Sequence, residues 1–267
     1  MNRQVARPST DPGADAPAEP KARSASPAYL AVANDLQDLI LAGVLKPGEA
    51  IPGEVALAEQ FGVHRSTIRE GIRQLESAGY LIRVSRKRMV VTIPGADTIG
   101  SGASRAMLMH RVTFRQLWEA AVVLEPLSAA LAARHAGRLQ IDEMRRNVDR
   151  TVAAVELSDP GQKAAALADL DKEFHALVCG STGNFAVILA RDPIGQLLYP
   201  AYRMIAPDLP QSGARLALAH AHVVEAIAAG DAATAESWMR KHIEDFRRGW
   251  LLAGLHEDLQ VADPGDV

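Results

Sequence analysis

The sequence predicts a mainly α fold in two parts: an N-terminal winged helix-turn-helix and a C-terminal antiparallel all-helical bundle. Three observations carry this. Residues 54–79, EVALAEQFGVHRSTIREGIRQLESAG, read as two short helices joined at Phe61-Gly62-Val63, and a tight helix–helix turn that carries Gly marks a helix-turn-helix. After Gly79, the apolar-rich runs YLIRVS (80–85) and MVVTIP (89–94) flank Arg86-Lys87-Arg88, the pattern of a hairpin. Beyond Pro94-Gly95 the composition shifts to Ala, Leu and Val at helical spacing, with few strand-like runs.

In chain order, residues 1–27 are rich in Pro, Ala, Ser and charge. They have almost nothing to bury, so a disordered tail is expected. Tyr29, Val32, Leu36, Leu39 and Ile40 fall at helical spacing and give a third helix over 28–42 that closes the small core. Leu45-Lys46-Pro47-Gly48 then turns the chain, and the winged domain spans 28–94. Val63, Ile68, Ile72 and Leu75 form the inward stripe of the second helix of the motif. The Gly/Ser stretch around 100–104 reads as a boundary, giving a linker over 95–104. The helical domain follows at 105–255, with helices near 113–136, 140–157, 162–180, 183–198, 212–229 and 232–253 and a short one near 104–110. Asp159-Pro160-Gly161 and Gly230-Asp231 are breaks, and 256–267 reads as a flexible tail.

Charge distribution narrows the function. In a helix-turn-helix the first turn of the second helix enters the DNA major groove. Here that helix starts His64-Arg65-Ser66-Thr67 and continues through Arg69 and Arg73. Residues 64–88 hold seven Arg/Lys (Arg65, Arg69, Arg73, Arg83, Arg86, Lys87 and Arg88) against Glu70 and Glu76, on a chain of net charge −3. A local basic footprint on an acidic protein is what phosphate neutralisation requires. The competing reading of residues 54–79 alone, a solvated helical hairpin with idle arginines, does not account for the basic wing. A length of 267 residues fits one large or two ordinary domains. The lone Cys179 allows no internal disulfide and suits a reducing cytosol. No apolar stretch reaches membrane-spanning length, and the N-terminus lacks the apolar run of a signal peptide.

A second constellation lies in the bundle. Asp171 and His175 are four apart on one predicted helix and share a face, which Cys179 continues. His220 precedes the Gly230-Asp231 turn by about as many residues as His242 follows it, so in an antiparallel pair the two sit at nearly one level. Three imidazoles and a carboxylate suit zinc, nickel, manganese or iron. His222 points elsewhere, since two residues turn a helix by about 200°. His110, His135 and His256 read as ordinary polar residues and Cys179 as core filling. Spacing alone leaves polar core histidines as the other reading of the cluster.

Over about 29–94 the chain resembles the bacterial GntR family of transcription regulators. The matching residues are Gly43, Lys46-Pro47-Gly48, Ile51-Pro52, Leu57-Ala58, Phe61-Gly62-Val63, Arg65, Ile68-Arg69-Glu70, Leu75-Glu76 and Gly79. Two positions depart: Val55 stands where the family usually has arginine, and Arg86-Lys87-Arg88 where its wing usually has glycine. Residues 113–253 resemble the FCD effector domain of the FadR-type branch, through Leu124-Glu125-Pro126, Asp171, Phe174-His175, Gly183-Asn184, His220, Ala226-Ile227, Gly230-Asp231, Met239 and His242. The resemblance implies a divalent metal ion (zinc, nickel or manganese) on Asp171, His175, His220 and His242. It also implies a homodimer, a palindromic DNA operator and a small-molecule effector, in the bacterial cytoplasm at the nucleoid. Members that bind small carboxylates commonly carry an arginine where this chain has Ala121. Either the effector is held differently or Arg203 or Arg115 substitutes; Arg203 and Asn184 are the candidate effector contacts. The alternative function is a metal-dependent enzyme built on the helical bundle. Against it, no phosphate loop, nucleophile elbow or spaced general base is present, and the basic wing would have no role.

Overall fold

The computed structural model describes residues 27–85, 88–207 and 209–261. The expected tail over 1–26, the wing-tip residues Arg86 and Lys87, and positions 262–267 lie outside the described residues.

The winged domain forms as its periodicity requires. Helix α1 (Ala28–Leu41) buries Val32, Ala33 and Leu36, and α3 (Arg65–Ser77) buries Ile68, Gly71, Ile72 and Leu75. Gly71 is where these helices meet: a Cβ there would lie 3.0 Å from both the Tyr29 carbonyl and a Val32 methyl. Helix α2 (Glu54–Phe61) ends at Gly62 in the left-handed region, φ 64°. Such a turn costs a β-carbon-bearing residue more than glycine. Strands β1 (Leu81–Ser85) and β2 (Arg88–Val91) pair antiparallel, with Leu81 opposite Val91. Residues 48–51 add a second backbone partner to β2 through Ile51 N–H to Met89 O (3.1 Å) and Val91 N–H to Glu49 O (2.9 Å). The wing is therefore tied to the chain just before α2.

The helical domain comprises α4 (Ala96–Met109), α5 (Phe114–His135), α6 (Arg138–Val155), α7 (Pro160–Gly180) and α8 (Phe185–Leu198), then a 3₁₀ turn (Tyr199–Ala201), α9 (Tyr202–Ile205), α10 (Ser212–Ala228) and α11 (Ala232–Leu252). The most extensive packing is between α5 and α11, followed by α10 against α11 and α6 against α7. One core joins these helices, with Phe114, Phe174, Tyr199 and Trp250 fully enclosed. Asp159 caps α7 by accepting from Gln162 N–H at 2.7 Å, so the expected break between α6 and α7 falls here and Pro160-Gly161 open the second helix. Gly230 (φ 71°) turns α10 into α11, which Asp231 caps through Thr234 N–H at 3.0 Å.

Two expected boundaries are corrected. Residues 95–104 are not an open linker, because α4 starts at Ala96 and runs through Gly100, Ser101 and Gly102. Gly100 and Ser104 serve close packing on α8. A Cβ on Gly100 would lie 2.2 Å from Asp192 Oδ2, and the Ser104 hydroxyl sits 2.9 Å from Gln196 Oε1. Residues 256–261 are likewise not a free tail. Phe114 and Arg115 N–H donate to the carbonyls of Leu259 (3.0 Å) and Glu257 (2.9 Å), and Val261 N–H donates to Val112 O (3.2 Å). The first turn of a helix leaves its amides without intrahelical acceptors, and this segment supplies them to α5. Among the described residues no helix is long and apolar enough to cross a membrane.

Candidate DNA-binding surface and metal centre

His64 takes the extended conformation that starts α3. Arg65, Ser66, Arg69 and Arg73 are exposed on its outer face, and Thr67 is half-buried. Three of these arginines are already paired within the domain. Arg69 donates to Glu54 through both Nε (3.2 Å) and Nη2 (2.7 Å), Arg65 Nη2 lies 3.8 Å from the same carboxylate, and Arg73 reaches Glu70 at 3.3 Å. The hydrogen bond from Arg69 lowers the Glu54 carboxyl below its ordinary range. Arg88 is exposed at the start of β2. Pairs this exposed contribute little to the fold, so the face remains available to a polyanion.

The four ligand candidates converge. Ligand atoms of Asp171, His175, His220 and His242 all lie within 4.8 Å of one another, and all four residues are buried. Asp171 and His175 come from α7, His220 from α10 and His242 from α11, on opposite sides of the Gly230 turn. Asp171 Oδ1 is 3.5 Å from His175 Nε2, 3.2 Å from His220 Nε2 and 3.5 Å from His242 Nε2, yet in hydrogen-bonding geometry with none of them. His175 Nε2 and His242 Nε2 are 3.0 Å apart. Three imidazole nitrogens thus point at one spot beside an orphaned carboxylate oxygen. A buried polar atom without a partner is costly, and a divalent cation satisfies all four donors at once; the residues fit one.

The surroundings hold this geometry. Phe174 stacks on His220, centroids 3.6 Å apart, and Tyr199 on His175 at 4.2 Å. Glu125, on α5, accepts from His175 Nδ1 through Oε2 (2.8 Å), while its Oε1 takes Arg191 Nε (2.6 Å) and Tyr199 Oη (2.5 Å). A carboxylate on the far nitrogen fixes which nitrogen of a ligating histidine faces the metal. Burial pushes the Glu125 carboxyl up, but Arg191, His175 and Tyr199 outweigh it and hold the group at about 2. Burial also opposes ionisation of Asp171, and the three imidazoles hold it well below the ordinary range. His220 is pushed down to about 3, chiefly by burial, against the pull of Asp171. His175 moves up, because Glu125 and Asp171 outweigh its burial.

His242 is the one ligand with measurable exposure, its side chain 7% accessible. It lines a cavity of about 140 Å³ between α9, α10 and α11, with Tyr202, Leu216 and Phe246 on the walls and Arg215 and Arg248 at the rim. Both arginines pair with Asp245, leaving a positive surplus there.

Not every expected residue arrives. Asn184 caps α8, its Oδ1 accepting from Ala186 N–H (3.1 Å) and Val187 N–H (3.3 Å), and it does not join the cluster. Arg203 pairs with Asp169 at 3.1 Å and Arg115 with Asp258 at 2.9 Å; neither lines the cavity. Neither Arg203 nor Asn184 joins the cluster or lines this cavity. The Asn184 carboxamide oxygen is taken up by its cap, whereas Arg203 keeps a buried Nε without a partner among the described residues. Arg191 was missed, although a lone arginine in the apolar run of α8 was its signal. His222 is exposed and stacks on Trp238, centroids 4.0 Å apart, away from the cluster. Cys179 is buried, outside the ligand set, and its thiol is pushed up to about 11 by burial.

Comparison with known proteins bears on both halves. The family described as bacterial regulatory proteins, gntR family, matches residues 28–91, and the FCD domain matches residues 116–245. The Glc operon transcriptional activator of Escherichia coli (strain K12) is 25% identical over 232 residues, 81% of this chain and 86% of the relative. The HTH-type transcriptional regulator LutR of Bacillus subtilis (strain 168) is 26% identical over 220 residues, 80% of this chain and 98% of LutR. Among solved structures, a Streptococcus agalactiae GntR protein superposes with a TM-score of 0.62 at 28% identity, covering 82% of this chain and 99% of that one.

Proposed function

The chain belongs to the gntR family of bacterial regulatory proteins and carries an FCD domain, and from that premise we propose that its operator affinity is set by a divalent ion and a small molecule bound in the helical domain. That it is a DNA-binding transcriptional regulator and not an enzyme follows from the family. The observation that carries the rest is the convergence of Asp171, His175, His220 and His242 with ligand atoms within 4.8 Å. A bound ion would supply a Lewis-acidic point with one or two positions for water or an effector oxygen. Asp171 offsets part of its charge, and Glu125 keeps His175 Nδ1 protonated so that Nε2 faces inward. The affinity order of N/O sites does not choose among zinc, nickel and manganese.

The cavity beside His242 is the effector's route. Its apolar walls and the surplus charge of Arg215 and Arg248 favour an anionic molecule with an apolar body. Arg65, Ser66, Thr67, Arg69 and Arg73 face the major groove, with Arg86, Lys87 and Arg88 on adjacent phosphates. A homodimer reads a palindrome, since two-fold protein symmetry matches two-fold operator symmetry. Its setting is the bacterial cytoplasm, on nucleoid DNA. Effector and operator affinities are coupled reciprocally.

Elemental analysis of the full chain tests the metal. One ion per chain is expected, lost in His175→Ala and His242→Ala and kept in His222→Ala, with a melting temperature that rises on metal addition only where the ion is kept. Stoichiometric metal retained in the first two variants would mean that the ligands lie elsewhere.

A further inference from the structure

Glu54 is the one carboxylate among the described residues lining a groove bounded by Pro52, Arg65, Arg69, Arg83 and Met89, between the start of α2, the recognition helix α3 and the wing. Its two oxygens take Arg69 as a fork, Nε at 3.2 Å and Nη2 at 2.7 Å, while Arg65 stays 3.8 Å away. The two arginines, one turn apart, are therefore held differently. Arg69 has two of its five N–H groups engaged on one edge, which fixes the plane and direction of its guanidinium. Arg65 meets the same carboxylate only as a longer ion pair at 3.8 Å, with no hydrogen bond to fix its plane.

We propose that Glu54 is a positioning residue for sequence reading: it aims the free end of Arg69, carrying Nη1 and the remaining Nη2 hydrogen, at a base edge. Two donors side by side match a base that presents two acceptors in the major groove, as guanine does with N7 and O6. The negative charge behind Arg69 also makes a phosphate a poorer partner for it than a neutral base edge. An arginine oriented before binding loses less freedom on binding. This inference rests on DNA recognition by α3 and is independent of any ion in the helical domain.

The test uses full-length protein at fixed metal content and the duplex it selects from a randomised pool. Binding is measured for wild type, Glu54→Gln, Arg69→Ala and the double variant, on that duplex and on single-base-pair changes of it. Glu54→Gln is expected to lose about tenfold in discrimination at one base pair per half-site, the same pair at which Arg69→Ala loses it. Affinity for unrelated DNA should stay level or rise, because a negative charge has gone. In the double variant, Glu54→Gln should add no further loss. If Glu54→Gln tightens or weakens all sequences equally, the carboxylate only screens charge and the proposal falls. It falls equally if the two substitutions are additive, or if the affected base pairs differ. Thermal melts of each variant separate these outcomes from unfolding.

Discussion

The two halves of this protein hold the charges of their candidate sites in opposite environments, one in solvent and the other inside the core. In the winged domain Arg65, Arg69 and Arg73 have side chains 61%, 52% and 66% accessible. In the helical domain Glu125, Asp171, His175, Arg191 and His220 are at most 3% accessible. An exposed charge is held by solvent, so its removal changes what the surface attracts and leaves the fold alone. A buried charge is held only by its partners, so its removal changes the fold as well as the site. Recognition and response are thus built from the same residue types under opposite dielectric conditions.

The comparison predicts its own largest effect at Arg191. Replacing it with Met leaves Glu125 ionised and enclosed with one cation fewer, and about 3–5 kcal/mol of stability should be lost in urea titration of metal-free protein. Adding Glu125→Gln to that variant should restore part of the loss. A single-variant cost below about 1 kcal/mol would show that water reaches this network.

Acid should act on the same half. The buried His220 has a folded value of about 3 against an ordinary 6.5. Between those values the unfolded chain binds a proton that the folded chain does not, so stability falls as pH drops through that window. Glu125 adds to this below 4.5, its folded value being about 2. His175, raised when folded, works in the opposite sense: its protonation favours the folded state. Urea midpoints between about pH 7 and pH 4 should therefore fall more steeply in metal-free wild type than in His220→Asn. Equal slopes would place the responsible group elsewhere.

On the other side of the comparison, Arg65→Ala should weaken operator binding by about 1–3 kcal/mol while moving stability by no more than about 0.5 kcal/mol. Unaltered affinity in a folded variant would remove α3 from the groove. The smallest effect is expected at Arg145, paired at 3.3 Å with Glu225 on the bundle surface. Its replacement by Ala should cost under about 1 kcal/mol and vanish in high salt; a larger cost would blur the division between inner and outer charge.

What could be read from the sequence follows from which signals are local. The helix-turn-helix and the convergence of the four candidate residues were legible because helical periodicity fixes the face shared by Asp171 and His175, and a tight turn fixes the level shared by His220 and His242. The role of Arg191 was not, because it depends on where α8 lies against α5, which no spacing within α8 encodes. Gly100 and Ser104 misled because small residues serve flexible chain and close helix packing alike, and only the presence of α8 decides between them. The segment 256–261 misled for a different reason: it acts through backbone carbonyls, which every residue possesses and no sequence advertises.

That same segment says something about the order in which the molecule can be made. The first amides of α5 find their acceptors in Leu259 and Glu257, and the most extensive partner of α5 is α11. On a growing chain, α5 emerges early and waits for almost all the rest before its first turn is satisfied. The winged core needs nothing beyond Val91, and contacts between near neighbours form sooner than contacts across a long span. Domains fold as units, the N-terminal one first during synthesis. The half that reads DNA is therefore complete on the ribosome while the helical half still lacks the histidine that opens onto its cavity.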